Sequence, residues 1–192
     1  MPVELAINSE KQAVTIGSVK FFVIRRSGKL AVRVKDSESP ARKEFTGLKW
    51  FPVDPSWRFE ARFTPWREKR SLTFTTVAGI KENMPDPGYV TFFRNGQEYR
   101  MEPAVEENKL FFVMRDRTSG KTTYGGARFL YAEIPETGLN TPGVVLLDFN
   151  QAVNPPCMFT PYATCPLPPP QNRLPIEVTA GEKLYRSDYS AH

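Results

Sequence analysis

Cys157 and Cys165 are the only cysteines in the chain, and they bracket seven residues. Three chemistries fit that spacing. The two can pack as small hydrophobes. They can form a disulfide, closing a short loop worth roughly 2–3 kcal/mol on the chain-entropy model. They can also act as metal ligands or as a reactive pair, although C-x₇-C is not a standard zinc signature. A single histidine, His192, is the last residue. A Ser-His-Asp or Cys-His triad therefore has no usable histidine, and histidine-rich metal sites are excluded on the same ground. No metal site and no cofactor are expected. Any general acid or base must be Asp, Glu, Lys, Tyr or Cys.

A second group of residues is polar in strongly apolar surroundings: Arg128, Asp148, Asn150, Asn154, Asn172 and Arg173. One reading makes them pins, since Asn and Arg side chains satisfy backbone groups that proline-rich segments leave unpaired. The other makes them the wall of a ligand pocket, with an arginine fork for a carboxylate or phosphate. Arg58, after the Val53-Asp54-Pro55 turn, could join that wall, with Tyr131, Cys157 and Tyr162 completing the candidate ligand-binding set. Arg128 opens a strand and Arg173 closes the proline-rich segment. The two are expected near one another, with Asp148 as the carboxylate partner. Thr118-Ser119-Gly120-Lys121-Thr122 resembles a phosphate loop superficially. The motif needs a glycine five positions before Gly120, where Arg115 stands, and no helical pattern follows. A hairpin turn is the better reading.

The elements that must position these groups are strands. Aromatic residues and proline are abundant, with 14 Phe, 7 Tyr, 3 Trp and 18 Pro. The former favour pleated, half-buried surfaces and the latter is poor in helix interiors. Strands are predicted over 14–24, 29–35, 57–64, 71–77, 89–94, 98–102, 110–114, 128–134, 144–149 and 176–179, with a short one in 45–55 entering a fixed turn. Ser27-Gly28 and Asn95-Gly96 are hairpin signals. Arg67-Glu68-Lys69-Arg70 reads as a charged turn. The continuous apolar run Val144 to Phe149 predicts burial on both faces. Pro103 to Asn108 gives at most one helical turn. The class expected is all-β, an antiparallel barrel or barrel-like sandwich of about ten strands, in one domain over 1–192.

The segment 154–175 is unlike a flexible linker. Pro155, Pro156, Pro161, Pro166, Pro168, Pro169, Pro170 and Pro175 alternate with Met158, Phe159, Tyr162 and Leu167. Disordered proline-rich segments are depleted in such apolar side chains. An ordered strap across the β structure is expected, followed by a flexible tail over 184–192. Proline at compatible sites lowers the entropy of the unfolded strap, worth roughly 0.4–1 kcal/mol each.

The formal net charge is +5 with a sequence pI of about 9.2. Basic and acidic residues interleave, as in Arg58-Phe59-Glu60-Ala61-Arg62, so no nucleic-acid partner is expected. No run approaches the roughly 20 apolar residues of a membrane span. The first eleven residues carry no apolar core of signal-peptide length, so a cytoplasmic location with reduced cysteines is expected. Self-association is left open.

Several motifs together resemble the bacterial and archaeal family known as domain of unknown function 1684. They are Asn154-Pro155-Pro156-Cys157, Cys165-Pro166-Leu167-Pro168-Pro169 and Asn172-Arg173-Leu174, with Phe45-Thr46-Gly47-Leu48, Phe51-Pro52-Val53-Asp54-Pro55, Asp116 with Thr118-Ser119-Gly120, Thr123-Tyr124-Gly125-Gly126, Arg128-Phe129-Leu130 and Asp148-Phe149-Asn150. The match spans about 45–183. The resemblance implies one compact domain with a special C-terminal hook, and it implies no activity. Three functions fit these residues. The first is binding of a small, partly apolar, anionic molecule in a strap-capped pocket. The second is a histidine-independent enzyme using Cys, Tyr or Asp. The third is a structural or protein-interaction module.

Overall fold

The computed structural model describes residues 7–9, 12–26 and 28–185. It is mostly β, with ten strands in three antiparallel sheets among the described residues. No sheet closes on itself. The chain forms two compact units, Met1–Gly47 and Leu48–His192.

The first unit holds β1 (Val14–Ile16), β2 (Val19–Arg26) and β3 (Lys29–Asp36), hydrogen-bonded in that order. The predicted strand over 14–24 is thus two strands. Gly17, at φ 58°, turns the chain between them. A short helix, α1 (Pro40–Lys43), follows β3; the Ser39 hydroxyl accepts from the Arg42 N–H at its start.

The second unit holds the rest. β4 (Arg58–Thr75), β5 (Lys81–Arg94), β6 (Gln97–Met101) and β10 (Gly143–Asp148) form a sheet in the order β10-β4-β5-β6. β7 (Ala104–Glu106), β8 (Lys109–Met114) and β9 (Arg128–Glu133) form the other. Alternation puts Ala61, Phe63, Val90, Phe92, Val145 and Leu147 of the first sheet into one core with Leu110, Phe112, Met114 and Leu130 of the second. Ring contacts bind it: Phe59 to Phe92 at 4.9 Å, Phe92 to Phe149 at 5.4 Å and Trp57 to Phe149 at 5.8 Å between centroids. Such pairs contribute about 0.5–1.5 kcal/mol each beyond burial.

Five local expectations are corrected. Arg67 to Arg70 is not a turn but lies within β4. The register passes from Pro65 opposite Gly88 to Arg70 opposite Asp86, so the extra residues are extruded as a bulge. β10 is not buried on both faces, since Val144 and Leu146 are exposed at the edge of their sheet. The doubly buried strand is β8, whose Phe111 and Val113 join a second cluster with Leu72 and Phe74 from the far half of β4. Pro103 to Asn108 is not helical; it contains β7 and a turn in which Glu107 and Asn108 both adopt positive φ. Neither 45–55 nor 176–179 forms a strand.

After β10 the chain is irregular. Its backbone touches the sheets through single antiparallel or parallel bridges: Val153 to Phe129, Pro166 to Thr76 and Arg173 to Arg115. Short 3-10 turns at Phe149–Gln151, Pro156–Met158 and Pro170–Asn172 separate these attachments. The tail expected from residue 184 is described only to Tyr185, and His192 lies outside the described residues. No described helix is long and apolar enough to cross a membrane.

Candidate functional site

The sequence-predicted residues fall into separate clusters rather than one pocket. The deepest surrounds Arg128, at the start of β9 and 1% exposed. Its Nη2 lies 2.7 Å from Asp116 Oδ2, and its guanidinium also donates to the carbonyls of Val178 and Ala180. The buried partner is therefore Asp116, not Asp148. Asp116 sits just beyond β8, opposite the start of β9, where the strand pairing delivers its carboxylate to the arginine; Asp148 ends a sheet-edge strand elsewhere. Asp116 Oδ1 further accepts from the Thr118 N–H and hydroxyl at 2.7 and 2.6 Å and from the Val178 N–H at 3.2 Å. Burial lowers the Arg128 pKa, and the Asp116 charge opposes that shift.

Asn154 adjoins this cluster. Its N–H donates to Glu182 Oε2 and its amide donates to the Lys183 carbonyl at 2.8 Å. Burial raises the Glu182 carboxyl, against the Asn154 N–H and the Arg128 charge. Arg128 Nε, Asn154 Oδ1 and Glu182 Oε1 are buried with no hydrogen-bond partner among the described residues.

Asp148 instead caps the 3-10 turn after β10. Its Oδ1 accepts from the Asn150 N–H at 3.0 Å and the Asn150 amide at 2.9 Å. The Asn150 amide group in turn exchanges two bonds with the Asp54 backbone at 3.0 and 2.9 Å. Arg58 lies opposite Asp148 in the β4–β10 register, on the exposed side of the sheet. Asn172 is fully buried, accepting from the Glu102 N–H and donating to the carbonyls of Glu102 and Val113. These asparagines satisfy backbone groups around an irregular segment, which is the pinning role.

Tyr131 donates to Glu106 at 3.1 Å and stacks on Phe111; burial raises its hydroxyl pKa. Tyr162 is 92% exposed at a loop tip. Neither Cys157 nor Cys165 is in a disulfide; the first is half-buried and the second buried. The Cys157 N–H donates to Cys165 Sγ at 3.1 Å. A hydrogen bond from the Cys165 thiol holds the Cys157 thiol down at about 7 against burial, with help from the Tyr124 hydroxyl. No group of three or more His, Cys, Asp or Glu able to hold a metal occurs among the described residues.

Arg173 and Arg128 are near in the chain pairing but do not share a site. Arg173 is bridged to Arg115, one residue beyond the Met114 that faces Arg128. Its guanidinium points instead to the Pro168 carbonyl at 3.4 Å and lines an open cleft of about 450 Å³ with Tyr99, Arg100 and Gln171. A neighbouring cleft of about 490 Å³ shares Tyr99 and Pro175 and adds Trp57, Arg94, Arg117, Ile176 and Glu177. Here the guanidinium of Arg94 lies 3.5 Å over the Trp57 ring and donates to the Ser56 carbonyl at 2.6 Å. The Trp57 side chain is buried, and its indole N–H has no hydrogen-bond partner among the described residues. Both clefts are wide, shallow and rich in guanidinium groups, unlike the deep apolar pocket expected of a typical small-molecule site. Sequence reasoning reached Arg173 but missed Trp57, Arg94, Tyr99 and Arg117. The available signal was the Asn95-Gly96 turn, which places Arg94 and Tyr99 at one end of the β5–β6 hairpin.

An antiparallel β protein whose irregular C-terminal segment is pinned by buried asparagines and one buried ion pair is the class these features define. The chain belongs to the family described as "Protein of unknown function (DUF1684)", which matches residues 43–183. It is also similar to the solution NMR structure of the uncharacterized protein from gene locus rrnAC0354 of Haloarcula marismortui. That likeness has a TM-score of 0.62 and 33% identity, covering 76% of this chain and 80% of the other. No curated protein matches it.

Proposed function

We propose that the protein binds a small anionic, partly apolar molecule in the cleft between the β5–β6 hairpin and residues 175–179. The observation that carries this reading is the pair of guanidinium side chains, Arg94 and Arg117, presented beside Trp57 and Tyr99 in one cleft of about 490 Å³. Arg94 and Arg117 offer charged donors suited to a carboxylate or phosphate. Tyr99, Pro175 and Ile176 supply an apolar wall. Segment 154–175 serves as an ordered strap ending at the cleft, so its order and the binding are linked. Limited proteolysis tests the strap: residues 154–174 should resist cleavage as well as the strands, and rapid cutting there with the rest intact would refute it.

Native mass spectrometry of protein purified from its own host tests the binding. A retained anion should be lost in both Arg94→Ala and Arg117→Ala; Arg117→Ala should keep the native melting temperature, whereas Arg94→Ala also loses its stacking on Trp57 and its bond to the Ser56 carbonyl and should melt somewhat lower. Retention of the same species by the double variant would move the site elsewhere. If nothing is retained, a thermal-shift titration with phosphate and with aromatic carboxylates decides. No shift with any of them would overturn the proposal.

A further inference from the structure

Neither the cleft nor the buried ion pair uses the two thiols, yet their placement is specific. Cys157 lies in the 3-10 turn Pro156–Met158, held by the buried Met158 side chain. Cys165 is fixed separately: its carbonyl accepts from the Val77 N–H at 3.0 Å, and Pro166 bridges to Thr76. The Cys165 sulfur therefore lies against the Cys157 backbone at the base of a loop whose tip is the exposed Tyr162. Cys165 Sγ accepts from the Cys157 N–H at 3.1 Å. The pair is also asymmetric, with Cys157 half-buried and Cys165 only 5% exposed. An outer thiol can meet a reagent from solution, while an inner one can reach only the outer.

We propose that Cys157 and Cys165 form a thiol–disulfide exchange site for low-molecular-weight disulfides, with Cys157 attacking and Cys165 resolving. The Cys157 thiolate attacks one sulfur of an external disulfide R–S–S–R. A Cys157–S–S–R bond forms, the external S–S bond breaks, and R–S⁻ leaves and takes up a proton. Cys165, giving up its proton, then attacks Cys157 Sγ and expels the second R–S⁻. Two protein thiols are oxidised to one disulfide and one external disulfide is reduced to two thiols; an added thiol reverses both steps. The contact of Cys165 Sγ with the Cys157 N–H keeps the second sulfur beside residue 157 for the resolving step.

The test uses the full chain and oxidised glutathione. Mass spectrometry should show the wild type losing two hydrogens with no lasting adduct, reversed by dithiothreitol. Cys165→Ser should accumulate one glutathione per chain, on Cys157, because nothing resolves it. Cys157→Ser should lose the reaction. Because either variant could misfold, the wild type is also treated briefly with limiting iodoacetamide and digested. The label should lie on Cys157 and not on Cys165. A wild type that stays a dithiol, that ends as a glutathione adduct, or that forms only disulfide-linked dimers would overturn the proposal. So would labelling of Cys165 ahead of Cys157.

Discussion

Removing the Asp116 carboxylate would strand a guanidinium that is almost fully buried. The remaining acceptors on Arg128 are two backbone carbonyls, which carry no charge to balance it. Breaking a buried pair in this way typically costs about 3–5 kcal/mol. Asp116→Ala should therefore unfold at much lower denaturant than the wild type, whereas Asp148→Ala, which loses a turn cap and a bond from the Asn150 amide but strands no buried charge, should cost about 1 kcal/mol. Chemical denaturation of both variants checks the order, and a reversed order would contradict the assignment. The sequence showed that a carboxylate must face Arg128 but not which one, because the choice depends on a strand pairing. Asp148 lay on an apolar run and looked buried; Asp116 lay in a polar loop and looked exposed. A second residue-scale outcome concerns Cys157, faced by Tyr124 and Cys165. Its thiolate fraction rises as pH climbs through its pKa. Alkylation should thus reach half its plateau rate near pH 7 rather than near the ordinary 9.0. Cys165→Ala removes the largest cause of that depression and should move the inflection upward.

Strand β4 shows how one element serves two cores. Its first half contributes Ala61 and Phe63 to one cluster, and its second half contributes Leu72 and Phe74 to the other. The bulge at Trp66 to Lys69 separates the halves, and its indole donates to Asp86 Oδ1 at 2.7 Å. Gly88, across from Pro65, has no room for a side chain. A Cβ there would meet the Thr64 carbonyl and lie 2.8 Å from the Pro65 Cα, both backbone atoms that cannot swing aside. Gly88→Ala should hence destabilise the protein far more than Gly96→Ala, whose new Cβ meets nothing but whose φ of 76° imposes strain. Thermal melts of the two variants provide the comparison; equal losses would mean that the β4–β5 register relaxes freely. Most strands were legible because alternation is a local property. The bulge was not, because four charged residues in a row read as a turn unless the partner strand is known. The burial of β8 on both faces was equally hidden. It depends on the far half of β4, which alternation within β8 cannot report.

At the scale of the whole molecule, a single cooperative domain over 1–192 and two separately folding units lead to opposite outcomes. Both buried clusters draw every member from residues beyond 47. The buried ion pair, the asparagine pins and the paired thiols also lie there, and the family match begins at residue 43. In the first unit, Phe22 is the only buried hydrophobic residue described, and Leu30, Val32 and Val34 are exposed on β3. Burial of apolar surface is the dominant favourable term in folding, so residues 48–192 hold the interactions that stabilise a native state. A fragment 48–192 should remain folded and unfold in one transition, with a midpoint within a few degrees of the corresponding transition in the full chain. Near-UV circular dichroism would report it through Trp57, which is packed against Phe59 and Phe149. A fragment that has lost this signal at room temperature would mean that residues 1–47 are needed to complete the fold and that the chain is one cooperative domain.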